Sequence, residues 1–353
     1  MPIDLAALFE SLILPLEQPL ARSLSAAVIP GFDNHRLAKD SSGAPCLLLR
    51  QPSAASSAPT RLQNLMVSYA VPCVVSHRTG AQEHGVFTII KCASTDPALY
   101  AHFLRILSPL VMVLGQTPTA AAVRRAISGL VQLFQCLTTP AKKSIQGLWG
   151  ELLIIRYATD PIRVAAAWHG TPDERVDFGA GRHRCEVKSS SARTRTHHFS
   201  LLQLIPPAPA RLIIASVFVE SIGGGLSLGS LFDQTRALLA SDSAILARFD
   251  SIFYSTLGSG WSESLEECFD LELALSSVRF FDARDVPKVE TPLAIGVADV
   301  RFTSDLSSIP PLSKTDLTSE EGLFSAVSGG WSADILSAGG APVAGAVATR
   351  DRR

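Results

Sequence analysis

The chain has 353 residues, 47% of them hydrophobic and 18% charged. At about 150 residues per domain this is roughly two domains, and the apolar content excludes a wholly disordered chain. Lys and Arg number 31 against 32 Asp and Glu, which excludes a protein that coats nucleic acid with its whole surface but leaves room for a local basic site.

Residues 4–27 read as one or two helical segments interrupted near Pro15 and Pro19. Asp4 and Glu10 lie in the first segment, which lacks the basic start of a secretion signal. No unbroken apolar run reaches about 18 residues, so no membrane span is expected. The six cysteines are scattered, with no CxxC pair. Reduced core thiols in a cytoplasmic protein are expected, rather than a zinc knuckle or a disulfide framework.

Cys46 to Leu49 reads as a short strand, and residues 51–60, rich in Ser, Ala and Pro, as a loop. Leu65–Ser76 and Gly85–Cys92 read as two more strands. Pro72 marks the first of them as an edge or irregular strand. Helical spacing follows at 97–114 and 120–137, with Thr117 and Thr119 as cap candidates, and a third helix is expected over 141–158. Residues 1–137 thus form a small α/β region with no assigned role.

Arg175–Gly179 and Arg184–Ser189 read as a hairpin turning at residues 179–181. A short helix is expected over His198–Leu204, an apolar strand over Arg211–Val219 and a turn at Gly223–Gly225. Helices are expected at 227–239, 243–256 and 261–269, then a last strand at Ser277–Phe281. Gly-Gly pairs at 329–330 and 339–340 and the Arg-Asp-Arg-Arg end mark the tail from Ser328 as a flexible extension. The second half therefore predicts an α/β core with a mixed sheet.

The strand pleat puts Arg182, Arg184, Glu186 and Lys188 on one face and turns Cys185 and Val187 into a core. Hairpin pairing brings Asp177 beside Glu186. Two close carboxylates repel unless a cation lies between them. Mg²⁺, with Mn²⁺ as an alternative, suits carboxylate, phosphate and water oxygens. Lys188, on the same face, is placed to orient the attacking water or to balance charge on phosphorus. Glu151, among Leu148, Ile154 and Ile155 at helical spacing, is expected to be buried and to need a partner, as a third acid of the site. Glu186-x-Lys188 alone is also the spacing of an ordinary ion pair on a solvated strand. The order helix acid, strand aspartate, hairpin, Glu-x-Lys is what points to one shared site for phosphodiester hydrolysis.

Arg182, Arg184, Arg193 and Arg195 make 182–198 the most basic stretch of a neutral chain. With His197 and His198 they are candidates for nucleic-acid contact, chiefly to phosphate. Gln203 is a candidate to orient Lys188 or touch substrate, with a plain core-edge amide as the alternative reading. Trp149 and Trp168 read as packing residues. No phosphate-binding loop, dinucleotide fingerprint or nucleophile elbow occurs.

Gly147-Leu-Trp-Gly-Glu-Leu-Leu153, Val176-Asp-Phe178, Cys185-Glu-Val-Lys-Ser-Ser190, His197-His-Phe-Ser200 and Gln203-Leu204 together resemble the PD-(D/E)xK nuclease superfamily. Within it, the chain is similar to the bacterial PD-(D/E)XK motif proteins of domain of unknown function 4420. Gly31-Phe-Asp-Asn-His35 and Val71-Pro-Cys73 also resemble that family, and the likeness covers about residues 20–300. Val176 stands where the motif's name has proline.

The resemblance implies an α/β fold with a restriction-endonuclease-like core, a mixed sheet flanked by helices, over residues 138–300. The N-terminal α/β region then precedes it, and residues 301–353 form a C-terminal extension. It implies a divalent-metal-dependent DNA endonuclease of restriction or phage defence. Asp177, Glu186 and Glu151 would hold the metal, and Lys188 would assist the water. DNA, other defence-system proteins and a second copy of the chain are the implied partners. The alternative is a DNA-binding subunit that contributes little cleavage.

Overall fold

The computed structural model describes residues 3–15, 23–50, 58–77, 82–141, 143–169, 175–206 and 208–331. The first elements are α1 (Leu5–Glu10), β1 (Ser23–Ile29), β2 (Phe32–Asp40), β3 (Pro45–Arg50), β4 (Thr60–Arg61), β5 (Leu65–His77) and β6 (Gln82–Cys92). Among the described residues, the expected helical stretch over 4–27 is helix only in α1, and its end is strand. Residues 23–29 are held as strand by pairing on both sides, antiparallel to β2 and parallel to β5, and this pairing overrides their alanine-rich local preference. Residues 16–22 lie outside the described residues, as do 51–57 of the expected loop.

The strand order β1-β2-β3-β6-β5-β4, with β1 also paired to β5, closes the sheet into a small barrel. The apolar run of β3 is explained by burial on both faces. Cys46 and Leu48 join the cluster with Val75, Phe87 and Ile89, while Leu47 and Leu49 join the main core. β5 is irregular beside Pro72, as expected. Ala70 has φ 51° and the register shifts between Ser68 and Val71.

Next come α2 (Pro97–Leu114), α3 (Ala120–Cys136), α4 (Ile145–Arg156) and α5 (Pro161–Ala167). Thr119 caps α3 through Ala122 N–H. α2, with 18 residues and mean hydropathy 1.5, is long and apolar enough to cross a membrane. Its Phe103, Leu107 and Val111 are buried in the chain's own core.

The second half contains β7 (Phe178–Ala180), β8 (His183–Ser190), β9 (Thr196–Ser200), α6 (Leu201–Leu204), β10 (Arg211–Phe218), β11 (Ser221–Ser227), α7 (Leu228–Leu238) and α8 (Ser243–Leu257). Then follow α9 (Trp261–Ser264), β12 (Cys268–Phe269), α10 (Leu271–Ser277), β13 (Arg279–Asp282), β14 (Arg301–Asp305), α11 (Lys314–Thr318) and α12 (Leu323–Val327). The central sheet has the order β13-β10-β8-β7. β8 and β10 run parallel, and β13 and β7 flank them antiparallel. This is the expected α/β fold with a mixed sheet flanked by helices.

One face of that sheet, with Cys185, Val187, Ile213, Ala215 and Val217, packs on the helices; the other, with Leu212, Ile214 and Phe281, packs on Phe199 and Leu204. The β7–β8 turn is tighter than expected. Ala180 pairs with His183, leaving Gly181 (φ 53°) and Arg182 as a two-residue turn. Of the helix expected over His198–Leu204, Leu201–Leu204 is helix, while Thr196–Ser200 is strand because Arg301–Asp305, about a hundred residues away in sequence, pairs with it. The Gly223–Gly225 turn is instead part of β11, and the helix expected over 261–269 ends at Ser264 before β12 pairs with β11. Of the expected tail, the described residues reach Trp331, whose ring lies 5.9 Å from Phe280.

Candidate active site

Ser144 caps α4 by accepting from Gly147 N–H at 3.1 Å, which fixes where the helix starts. Two turns on, the same helix carries Glu151 into the interior at 4% exposure. Glu151 Oε2 accepts the indole N–H of Trp168 at 2.7 Å. Glu151 Oε1 accepts from Lys143 Nζ at 2.7 Å, and the same ammonium donates to Asp177 Oδ1 at 2.6 Å. Asp177 lies just before β7, and its Oδ2 accepts Val187 N–H at 2.9 Å, beyond the last β7–β8 pair.

On β8, Glu186 is also 4% exposed. Its Oε1 receives Lys188 Nζ at 2.8 Å and Gln203 Nε2 at 3.0 Å. Its Oε2 is buried without a hydrogen-bond partner. Lys188 Nζ sits 5.1 Å from the centre of the Phe199 ring. Glu151, Asp177, Glu186, Lys188 and Lys143 all line one cavity of about 760 Å³.

The electrostatics follow from burial. Burial and then repulsion from Asp177 push the carboxyls of both Glu151 and Glu186 well above the ordinary glutamate range. Burial opposes the charge on Lys143, but Glu151 and Asp177 outweigh it and hold the amine above its usual value. The acids are therefore poorly neutralised, and they concentrate demand for positive charge in one cavity.

The expected pairing of Asp177 with Glu186 takes a different form. Asp177 shares a cation with Glu151, and that cation is Lys143, while Glu186 is held by Lys188 and Gln203. Among the described residues, no three His, Cys, Asp or Glu side chains stand close enough as a group to hold a metal ion. The donors themselves are hard carboxylate oxygens, one of them orphaned, and the place between two of them is filled by an ammonium. They fit a divalent ion once that ammonium is displaced.

The basic stretch does not converge as expected. His197, His198 and Gln203 line the cavity, but Arg182, Arg184, Arg193 and Arg195 do not. Arg182 pairs with Glu320 at 2.7 Å, and Arg184 donates to its own turn carbonyl Gly181 at 2.7 Å. Arg193 pairs with Glu220 at 2.6 Å. Arg195 donates to Ser216 and Ser277 carbonyls with Phe218 and Phe281 against its guanidinium. Contacts within the chain thus engage all four guanidinium groups, although the Arg182 and Arg193 side chains stay largely exposed.

Gln203, at the cavity wall, donates from Nε2 to Glu186 Oε1 at 3.0 Å, the oxygen that Lys188 also holds, and its Oε1 accepts Ser200 N–H at 3.0 Å. His197 is buried against Ser216 Oγ at 2.8 Å, and burial with Lys188 and Arg195 nearby lowers it to about 4. His198 is exposed beside Thr303.

Three cavity or support residues escaped the sequence reading. The expected helix over 141–158 includes Lys143, but α4 starts after it, and Lys143 lies eight residues before Glu151, a spacing that brings no helical contact. Trp168 was read as packing, although an indole N–H buried near an acid commonly finds an acceptor. Arg175 lines the cavity from just before β7.

No curated protein and no solved structure matches the chain. A family model described as a PD-(D/E)XK family member, DUF4420, matches residues 9–307, and the chain belongs to that family.

Proposed function

We propose that the protein is a divalent-metal-dependent endonuclease that hydrolyses phosphodiester bonds of DNA. The observation that carries the reading is the gathering of Glu151, Asp177, Glu186 and Lys188 around one open cavity of about 760 Å³, the last three in the order that gives the family its name. Asp177, Glu186 and Glu151 would hold Mg²⁺ or Mn²⁺. The bound ion supplies a water of lowered pKa and positive charge beside the phosphate oxygens.

The chain's own groups do the rest. Gln203 and Lys188 fix Glu186 Oε1, leaving Oε2 available. Lys188 places its ammonium at the cavity wall, where it orients the attacking water and offsets charge growing on phosphorus. Arg175 and His198, exposed at the same cavity, contact the flanking phosphates.

The implied setting is cytoplasmic restriction or phage defence, with other defence proteins or a second copy of the chain as partners. The test is cleavage of plasmid, linear and single-stranded DNA and of RNA by the purified protein with Mg²⁺, Mn²⁺ or EDTA. Wild-type cleavage lost in EDTA and in Asp177→Ala, Glu186→Ala and Lys188→Ala is the expected result. No cleavage of any substrate, with DNA binding intact, would overturn it.

A second reading is a partner-dependent DNA-binding subunit. It is favoured by one observation: Asp177 and Glu151 are drawn onto Lys143, away from a three-acid arrangement. Cleavage that appears only on adding a partner protein would select it.

A further inference from the structure

We propose that Lys143 is a tethered counter-cation that occupies the place of the divalent ion, so that ammonium and metal exclude one another between Glu151 and Asp177. This rests on the metal-dependent reading of the site above.

The geometry is specific. One ammonium lies 2.7 Å from Glu151 Oε1 and 2.6 Å from Asp177 Oδ1. The other oxygen of each acid is already taken, by the Trp168 indole at 2.7 Å and the Val187 amide at 2.9 Å. The two oxygens that Lys143 holds are therefore the ones left to face an ion. Carboxylate oxygens drawn to one small cation are what a hard divalent ion also requires.

Charge counting points the same way. With all three acids ionised, Glu151, Asp177 and Glu186 face Lys143 and Lys188 with an excess of one negative charge. A divalent ion taking the place of Lys143 brings these groups to neutrality. An ion added beside Lys143 would leave a positive excess next to a buried ammonium and would have to overcome direct repulsion.

Lys143 is also built to leave. It precedes the α4 cap Ser144, so its withdrawal breaks no helical hydrogen bond. Its side chain is 36% exposed, against 5% for Glu151 and 11% for Asp177. The acids are fixed, and the cation between them has a path to solvent. In the metal-free protein Lys143 relieves the repulsion between the two acids. The cost is a weaker affinity for the ion, which makes metal entry conditional on moving one loop side chain.

The experiment is Mn²⁺ titration by calorimetry of the full chain, alongside melting temperatures in EDTA and in Mn²⁺. Wild type, Lys143→Met, Asp177→Asn and Lys143→Met/Asp177→Asn are compared. Lys143→Met is expected to bind Mn²⁺ at least tenfold more tightly than wild type. It should melt below wild type in EDTA and gain more from Mn²⁺. The double variant should lose the tight binding, which places the gain at this site. Lys143→Gln, which can still hydrogen-bond both acids, substitutes if Lys143→Met does not fold, with the same expected gain.

Equal or weaker Mn²⁺ binding by the Lys143 variant, with wild type binding normally, overturns the inference and leaves the metal site standing. Tight binding that survives in the double variant also overturns it. If neither wild type nor any folded variant binds Mn²⁺, the metal-dependent reading falls and this inference falls with it.

Discussion

Trp168 donates its indole N–H to Glu151 Oε2 over 2.7 Å, both residues being buried. An aromatic side chain just after α5 thereby holds one oxygen of the α4 acid in place, and Lys143 holds the other. Replacing Trp168 with Phe keeps much of the packing but strands a buried carboxylate oxygen. A loss of about 1–3 kcal/mol is expected from the unsatisfied acceptor, with a further loss from the smaller ring. Urea unfolding at neutral pH measures it, and unchanged stability would contradict this role for the indole.

Glu186→Gln and Lys188→Ala are each expected to lower cleavage by about a hundredfold or more, the usual scale for losing a group that acts on a proton or charge in the transition state. Arg182→Ala, by contrast, disrupts a surface pair with Glu320 away from the cavity and should leave the rate within about threefold. Initial rates on one DNA substrate at saturating Mg²⁺ compare the three. An Arg182 effect as large as that of Lys188 would show that the hairpin tip touches substrate.

Acid stability should fall through His102. It bonds Tyr254 Oη through Nδ1 at 2.6 Å, and burial, then Arg105, lower its pKa to about 4. The folded form therefore resists a proton that the unfolded chain takes up near its ordinary value of about 6.5. Stability from the neutral ring is full above that value and is lost as pH falls from there to about 4. His197, also lowered to about 4, acts in the same window and direction. Denaturation midpoints measured from pH 7 to 4 should fall less steeply in His102→Gln than in wild type. A parallel fall would exclude the histidine as the cause.

Gly258 ends α8 with φ 65°, where a Cβ would stand 2.3 Å from Thr139 O and 2.8 Å from Ala141 N. Ser259 N–H also donates to Thr139 O at 2.7 Å. Gly258→Ala combines an unfavourable backbone angle with a backbone clash, and should cost about 1–3 kcal/mol. The segment it would push leads directly to Lys143. A melting temperature close to that of wild type would contradict this tight approach.

Much of the fold was legible because it is encoded locally. Apolar spacing located α2, α3, α7 and α8, and the apolar runs of β3 and β10 announced strands, which the structure buries on both faces. Alternation along β8 was legible too, since it places Glu186 and Lys188 together and Cys185 in the core. Strands whose identity depends on a distant partner were hidden. Ser23–Ile29 looks helical until β2 and β5 flank it, and Thr196–Ser200 pairs with Arg301–Asp305.

The amino-acid sequence by itself determined that Glu186 and Lys188 share one face of β8 and Cys185 the other, because a two-residue pleat suffices for that. Only the tertiary structure decided which cation each acid faces. Lys143 reaches Asp177 across 34 positions, Trp168 reaches Glu151 across 17, and Arg182 turns to Glu320 across 138. Charge partners are chosen by distance in space and by burial, and neither quantity is written in the local pattern of residues.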